Sequence, residues 1–285
     1  MTKIDGAVKK VGIVVNARKT GAAELCAKLR EWLGKRDMEV LDSTSTPLDV
    51  IVAQVDFVIS LGGDGTMLSI VGHMKSRSVP VLGVNLGSLG FLTEVKQSEV
   101  FEELNAYLQQ PRCENRVMLS CTARSKADKN ERRFLALNDI VVGREGLARI
   151  LRLEILISGE KFVSFRGDGV VISTATGSTA YSLSAGGAVV HPKLEALIIT
   201  PICPHVLSLR PMVIAADEKI TLRCRTDAPG EKALLTADGQ EKLEIDDSYT
   251  VEVSRSGTPF QLIKSSRRSY LETLRENFKL PDAEK

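Results

Sequence analysis

The fold class that the sequence predicts is α/β plus β: an N-terminal α/β domain, a C-terminal β-sandwich-like domain, and a final helix returning to the N-terminal domain. Three observations carry this reading. The first third alternates short, near-continuous apolar runs with helical patterns, as strands do when helices cover both faces of a parallel sheet. After about residue 112 the pattern changes to many short strand-like segments parted by turn residues, which points to paired antiparallel sheets. The tail, Tyr270 to Leu280, is helical again. A length of 285 residues suits two domains of roughly 100–200 residues each. We place them at 1–112 plus 267–285, and at 113–266.

In chain order, Val11 to Val15 reads as a buried strand. Ala22 to Leu33 sets Leu25, Leu29, Trp32 and Leu33 on one helical face. Phe57 to Leu61 and Val79 to Val84 are two further buried runs. Ser98 to Leu108 reads as a helix, with Ser98 as N-cap and Phe101, Leu104 and Leu108 facing inward. In the second part the strand-like segments are 117–123, 133–142, 150–158, 161–165, 170–174, 219–224, 233–237, 242–245, 249–253 and 260–264. Turns fall at Ser158-Gly159-Glu160, Gly167-Asp168-Gly169, Pro229-Gly230 and Asp246-Asp247. A tightly packed helix is expected over Ala180 to Ala188.

Composition excludes several classes. Lys plus Arg number 38 and Asp plus Glu 36, a formal net charge of +2, and no dense basic block stands out, so nucleic acid is not an expected partner. Lys126 to Arg133 reads as a solvated hairpin tip. The five cysteines are odd in number and contain no CxxC, which fits reduced thiols and a cytoplasmic location rather than a disulfide frame or zinc site. The three histidines form no metal-spaced pair, and no dedicated protein metal site is expected. No apolar run approaches the roughly 18 residues of a membrane span, so no membrane partner is expected either.

The most informative stretch is Ser60-Leu61-Gly62-Gly63-Asp64-Gly65-Thr66-Met67-Leu68. It runs from a buried strand through three glycines into a helical pattern. Ligands of open α/β sheets sit at the carboxyl ends of strands. Glycines let backbone N–H groups approach phosphate oxygens, and the following helix N-terminus adds positive potential. A carboxylate in such a loop opposes phosphate unless it has a task. Two tasks suit Asp64: taking a proton from an attacking hydroxyl, or holding a metal bound to phosphates. A plain strand-to-helix turn capped by Asp64 is the alternative. Neither GxxxxGK[ST] nor GxGxxG occurs in the chain.

The Gly62-Gly63-Asp64-Gly65-Thr66 loop resembles a signature shared by NAD kinases, lipid kinases of the diacylglycerol-kinase type and phosphofructokinases. Further stretches choose among them. Asn85-Leu86-Gly87-Ser88-Leu89-Gly90-Phe91-Leu92, Leu137-Asn138-Asp139, and Gly167-Asp168-Gly169 followed by Ser173 to Gly187 resemble NAD kinase motifs, as do Pro204-His205 and Arg210-Pro211. The resemblance to the NAD kinase family, bacterial type, runs from Val11 to about Lys264. One departure is Ala175, where the family commonly has proline. Asp139 stands where glutamate is also usual.

This resemblance implies a Rossmann-like N-terminal domain and transfer of the terminal phosphoryl group of ATP, or of polyphosphate, to the 2′-hydroxyl of the adenosine ribose of NAD. It makes Asp64 catalytic, and Gly62, Gly63, Gly65 and Thr66 the phosphate loop. It assigns NAD binding to Asp64, Gly65, Phe91, Asn138, Asp139, Arg149, Arg166, Asp168, Thr179, Ala180, Tyr181, Ser182, Leu183, Ser184 and Gln240. It implies a divalent cation, Mg2+, that accompanies ATP. It also implies a homodimer or homotetramer with sites near subunit interfaces, Asp168 reaching toward a neighbour. His205 is given no catalytic role. Donor choice, NAD against NADH, and control by NADPH stay open at this level.

Overall fold

The computed structural model describes residues 2–3, 8–75, 77–127, 131–144, 150–226 and 231–281. The chain divides into two compact units, one of Met1–Asn115 with Phe260–Lys285, the other of Arg116–Pro259.

The first unit is built on an eight-stranded sheet. Its parallel centre runs Phe260–Ile263, Val81–Asn85, Phe57–Gly62, Lys10–Val15, Glu39–Asp42. Every residue of Phe57–Gly62 is buried, which is why that run carries no alternation. The Ala22–Gly34 helix buries Leu25, Leu29 and Leu33 against Val11, Ile13, Phe57 and Ile59. Trp32 is only partly covered and holds the Arg36 guanidinium over its ring at 3.6 Å. From Lys10–Val15 the chain first adds Glu39–Asp42 on one side, then returns to add Phe57–Gly62 on the other. The order therefore reverses between Lys10–Val15 and Phe57–Gly62, and this switch point is where open α/β sheets form a ligand crevice.

The second unit is a sandwich of two six-stranded sheets, antiparallel throughout. One runs Met212–Ala215, Ala196–Ile202, Gly169–Thr174, Asp139–Arg144, Ala233–Ala237, Glu241–Ile245. The other runs Glu160–Gly167, Leu151–Ile157, Ile220–Arg225, Tyr249–Arg255, Leu119–Ser125, Glu131–Ala136. Alternating residues of both, among them Ile140, Val142, Leu153, Ile155, Leu222 and Val253, fill one core.

Several expectations are corrected. The 260–264 segment is not part of the β-rich unit: Leu262 and Ile263 pair in parallel with Val81 and Leu82. The 133–142 run is two strands in different sheets, parted at Leu137–Asn138. Ser98 does not cap its helix; it lies in a 3-10 turn, Gln97–Glu99, and the Glu99 carboxylate reaches back to the Lys96 N–H at 3.1 Å. The helix expected over Ala180 to Ala188 is a single turn, Tyr181–Ser184, because Gly186 takes φ +88° and the chain leaves the helix there. Glu39–Asp42, the Leu48–Gln54 helix, Ala196–Ile202 and Met212–Ala215 were not among the expected elements. The Pro229-Gly230 turn and the middle of the basic 126–133 segment lie outside the described residues.

The Tyr270–Phe278 helix starts with a capping box, Ser269 Oγ accepting the Glu272 N–H and the Glu272 carboxylate accepting the Ser269 N–H. It belongs to the first unit. Phe91 meets Phe278 edge-on at 5.9 Å and Tyr270 at 6.4 Å, and Glu103 accepts hydrogen bonds from Ser265 and Ser266.

Candidate functional site

In the first unit the Gly62–Thr66 loop lies at the carboxyl end of Phe57–Gly62, beside Asn16 at the end of Lys10–Val15. A Cβ at Gly62 would fall 2.2 Å from Thr66 Oγ1, so only glycine admits this turn. Asn16 donates to Thr66 Oγ1 at 3.3 Å, joining the end of Lys10–Val15 to the first turn of the Asp64–Val71 helix across the switch point. Gly63 and Gly65 have open space where a Cβ would stand, so nothing within the chain requires glycine at either place. The Asp64–Val71 helix begins directly after Gly63, and the first N–H groups of any helix lack intrahelical partners. The loop thus presents donors and positive potential to an anion.

Asp64 is held from the opposite side. Its Oδ2 accepts the Phe91 N–H at 2.8 Å. Its Oδ1 accepts the N–H groups of Leu92 and Thr93 at 3.1 and 3.0 Å and the Thr93 hydroxyl at 3.0 Å. A carboxylate has about four lone-pair sites, and four donors meet this one. Three of the four crowd Oδ1 and one meets Oδ2, so Oδ2 keeps acceptor capacity for a substrate hydroxyl. Gly90 makes this approach possible: a Cβ there would sit 2.1 Å from Asp64 Oδ1. Asn85 organises the same segment, donating to Ser88 O and Thr93 Oγ1 and accepting the Gly87 N–H. Phe91 packs against the final helix through the ring contacts described above.

In the second unit a tight knot holds Leu137 to Asp139 and Ser173 to Gly187. Thr174 donates its N–H to Asn138 O at 2.9 Å and its hydroxyl to Leu137 O at 2.6 Å. A Cβ at Gly177 would fall 2.1 Å from Asn138 O, so the loop touches the strand break backbone to backbone. Asn138 is half-buried and Asp139 buried. Burial, then the nearby Asp238 charge, push the Asp139 carboxyl up to about 7. Tyr181 and Ser184 are exposed, and Thr179, Ala180 and Leu183 half-buried. Ser182 differs: it is fully buried and hydrogen-bonds Thr200 Oγ1 at 2.8 Å. Its side chain serves the fold, not an open surface. Ala175 is buried too, and its carbonyl accepts the Ser178 hydroxyl at 2.7 Å, so the turn closes without proline.

Asp168 pairs with Arg144 Nε at 3.4 Å. Arg166 is exposed and stands opposite Arg152, which stands opposite Arg225, along a cavity of about 710 Å³. Gln240 is exposed, just past the Asp238–Gly239 turn, whose two positive φ values of 50° and 64° are those of a tight hairpin. Arg149 lies outside the described residues.

Asn16, Thr93 and Arg116 are not read as site residues from the sequence, and Asn85, within its motif, and Asp238, within its hairpin turn, are given no role of their own there. Asn16 was findable, since it directly follows the first strand at the switch point. Arg116 is buried with a guanidinium N–H 3.5 Å from Thr176 Oγ1, a cation beside a segment that carries no charge of its own.

Comparison with known proteins agrees with this layout. Residues 48–112 match the ATP-NAD kinase N-terminal domain and residues 137–265 the ATP-NAD kinase C-terminal domain. The chain is 38% identical to the NAD kinase of Geotalea daltonii over 283 residues, covering 95% of this chain and 99% of that one. It is 37% identical to the NAD kinase of Moorella thermoacetica, covering 95% and 90%. An NAD kinase from Archaeoglobus fulgidus, solved in complex with ATP, superposes with a TM-score of 0.79 at 27% identity, covering 95% of this chain and 100% of that one. Yeast NADH kinase, complexed with NADH, shares the fold with a TM-score of 0.90 at 24% identity, covering 98% and 90%. The glycine loop at the switch point, the carboxylate set in it and these matches along nearly the whole chain together show that the chain belongs to the NAD kinase family.

Proposed function

We propose that the chain transfers the terminal phosphoryl group of ATP to the 2′-hydroxyl of the adenosine ribose of NAD, giving NADP. The observation that carries this reading is the Gly62–Thr66 loop at the switch point, with Asp64 at its centre, in a chain of this family. On this reading the donor phosphates fall to the first unit, and most of the residues assigned to the dinucleotide lie in the second. A bond forms between the ribose 2′-oxygen and the terminal phosphorus as the bond from that phosphorus to the bridging oxygen of ADP breaks. The hydroxyl proton passes to Asp64, whose Oδ2 accepts only the Phe91 N–H and has a lone pair left to receive it. Little covalent chemistry falls to the protein in such a transfer, so alignment and charge stabilisation dominate.

ATP is the donor favoured by the complex of the Archaeoglobus fulgidus relative; polyphosphate is the alternative. A divalent cation, Mg2+, enters as part of the nucleotide substrate. Among the described residues no group of three His, Cys, Asp or Glu side chains is placed to hold a metal. Asn138, Asp139, Thr179, Ala180, Tyr181 and Ser184 offer the hydroxyls, carbonyls and carboxylate suited to adenine and ribose edges. Asp168, Arg166, Arg149, Gln240, Gly65 and Phe91 are assigned to the same ligand on the family pattern. Among the described residues no helix is long and apolar enough to cross a membrane, and we assign the enzyme to cytoplasmic NADP synthesis. Met212–Ala215, an edge strand with Val213 half-exposed, is a surface suited to a homo-oligomer.

The test is NADP formation from NAD, ATP and Mg2+ by the purified chain and by Asp64→Asn. The wild type is expected to turn over, and the variant to bind NAD while losing about 10²-fold or more in kcat. No NADP with either ATP or polyphosphate would overturn the reading.

A further inference from the structure

Asp238 is the first residue of a hairpin turn, yet its carboxylate is not turned toward that turn. Oδ2 accepts the Leu137 N–H at 2.7 Å, and Oδ1 accepts the N–H groups of Asn138 and Asp139 at 2.7 and 3.0 Å. Three successive amides converge on one buried carboxylate. The Asp238 N–H in turn donates to Asp139 O at 2.9 Å. The place matters because the strand breaks there. Ala136 is paired with Leu119 in one sheet, and Asp139 with Ser173 in the other. Leu137 and Asn138 fall between the two ladders. Their carbonyls are taken by Thr174 and their N–H groups by Asp238. Both faces of this peptide are clamped, one by a threonine 37 residues after Leu137 and the other by a carboxylate 99–101 residues later.

We propose that Asp238 is a positioning residue for the dinucleotide: its carboxylate sets the direction in which Asn138 and Asp139 present their side chains. The proposal rests on the reading that this pair binds NAD. Asp238 itself touches no substrate; it acts through the backbone of the residues that do. The substitution that isolates the role is Asp238→Asn. Asparagine tolerates the left-handed backbone of this turn, where φ is 50°, so the hairpin is kept. Its NH2 group, however, faces amide N–H groups whichever way it is turned, and at least one of the three loses its acceptor.

The experiment is steady-state kinetics on the full chain with NAD and ATP varied separately, for wild type, Asp238→Asn, Asp139→Ala and the double variant. Asp238→Asn is expected to raise KM for NAD about tenfold and to leave KM for ATP within about twofold. The double variant is expected to resemble Asp139→Ala alone, because residues acting through one another are not additive. A lowered Tm with unchanged KM for NAD would reduce Asp238 to a purely structural residue and overturn the proposal. So would independent effects that multiply in the double variant. Should Asp238→Asn fail to fold, Asp238→Ser, whose hydroxyl can accept fewer of the three amides, is held to the same outcomes. An unchanged KM for NAD in Asp139→Ala alone is a different result: it would sink the NAD-binding reading of the pair, and this proposal with it.

Discussion

Thr93 reaches Asp64 twice, its N–H and its hydroxyl both donating to Oδ1 at 3.0 Å. The Thr93 hydroxyl in turn accepts from Asn85 Nδ2 at 3.1 Å. The residue proposed to meet the substrate hydroxyl is therefore held by a protein hydroxyl in the same chemical role.

That relationship separates two substitutions. Thr93→Val removes the hydroxyl and keeps the N–H. Asp64 retains three donors, and the place a ribose hydroxyl would take is left open. Thr93→Val is expected to keep kcat within about threefold and to cost about 1–2 kcal/mol of stability. Asp64→Asn is expected to lose about 10²-fold or more in kcat. Urea unfolding and initial rates of NADP formation check both. If Thr93→Val proves as inactive as Asp64→Asn, the hydroxyl of Thr93 itself carries the step.

The glycines of the site divide into two kinds. A Cβ on Gly90 would lie 2.1 Å from Asp64 Oδ1 and 2.6 Å from its Cγ, so Gly90→Ala must displace the carboxylate. We expect kcat to fall about tenfold or more and Tm to drop with it. Gly65 meets nothing within 4 Å and lies in the Asp64–Val71 helix. Alanine there is expected to stabilise the fold by about 0.5–1 kcal/mol and, if Gly65 belongs to the proposed phosphate loop, to raise KM for ATP, because its methyl group would then meet the phosphate. A Gly65→Ala chain with wild-type KM for ATP would remove Gly65 from the phosphate loop.

The Asp139 and Asp238 carboxyls are buried together. Burial first, then the Asp238 charge, push Asp139 up to about 7; burial pushes Asp238 up to about 6 against the pull of its three amide donors. Unfolded carboxyls titrate near ~3.9. Between about pH 4 and 7 the folded chain keeps protons that the unfolded chain has released, so stability from these groups falls as pH rises through that window. Asp139→Asn has no charge to bury. Its Tm relative to wild type is expected to be higher at pH 8 than at pH 5, read by calorimetry at both values. An offset that does not change with pH would contradict the burial argument.

Metal dependence should follow the nucleotide. With the cation entering on ATP, EDTA is expected to abolish NADP formation and added Mg2+ to restore it. The Tm of the chain without nucleotide should not move under the same treatment. A fall of several degrees with EDTA alone would mean that the protein holds a structural ion of its own.

Much of this protein is legible in its own sequence because it is local. Val11 to Val15 and Phe57 to Leu61 are apolar throughout since they are covered on both faces, and the Gly62–Thr66 loop shows its chemistry in consecutive residues. Short or half-covered elements are harder: Glu39–Asp42 has one fully buried residue, and the Leu48–Gln54 helix buries only Ile51 and Val52, too few to display a period. Other features have no local signature at all. That Phe260–Ile263 lies beside Val81–Asn85, that Asp64 is bound by residues 27–29 positions ahead, and that Asp238 holds amides 99–101 positions behind it depend on how the sheets close. The sequence by itself determined the kinds of residue available for phosphoryl transfer and dinucleotide binding. Tertiary structure decided which donors fill Asp64 and which carboxylate lies under Asn138, because a hydrogen bond depends on distance in space and a periodicity only on distance along the chain.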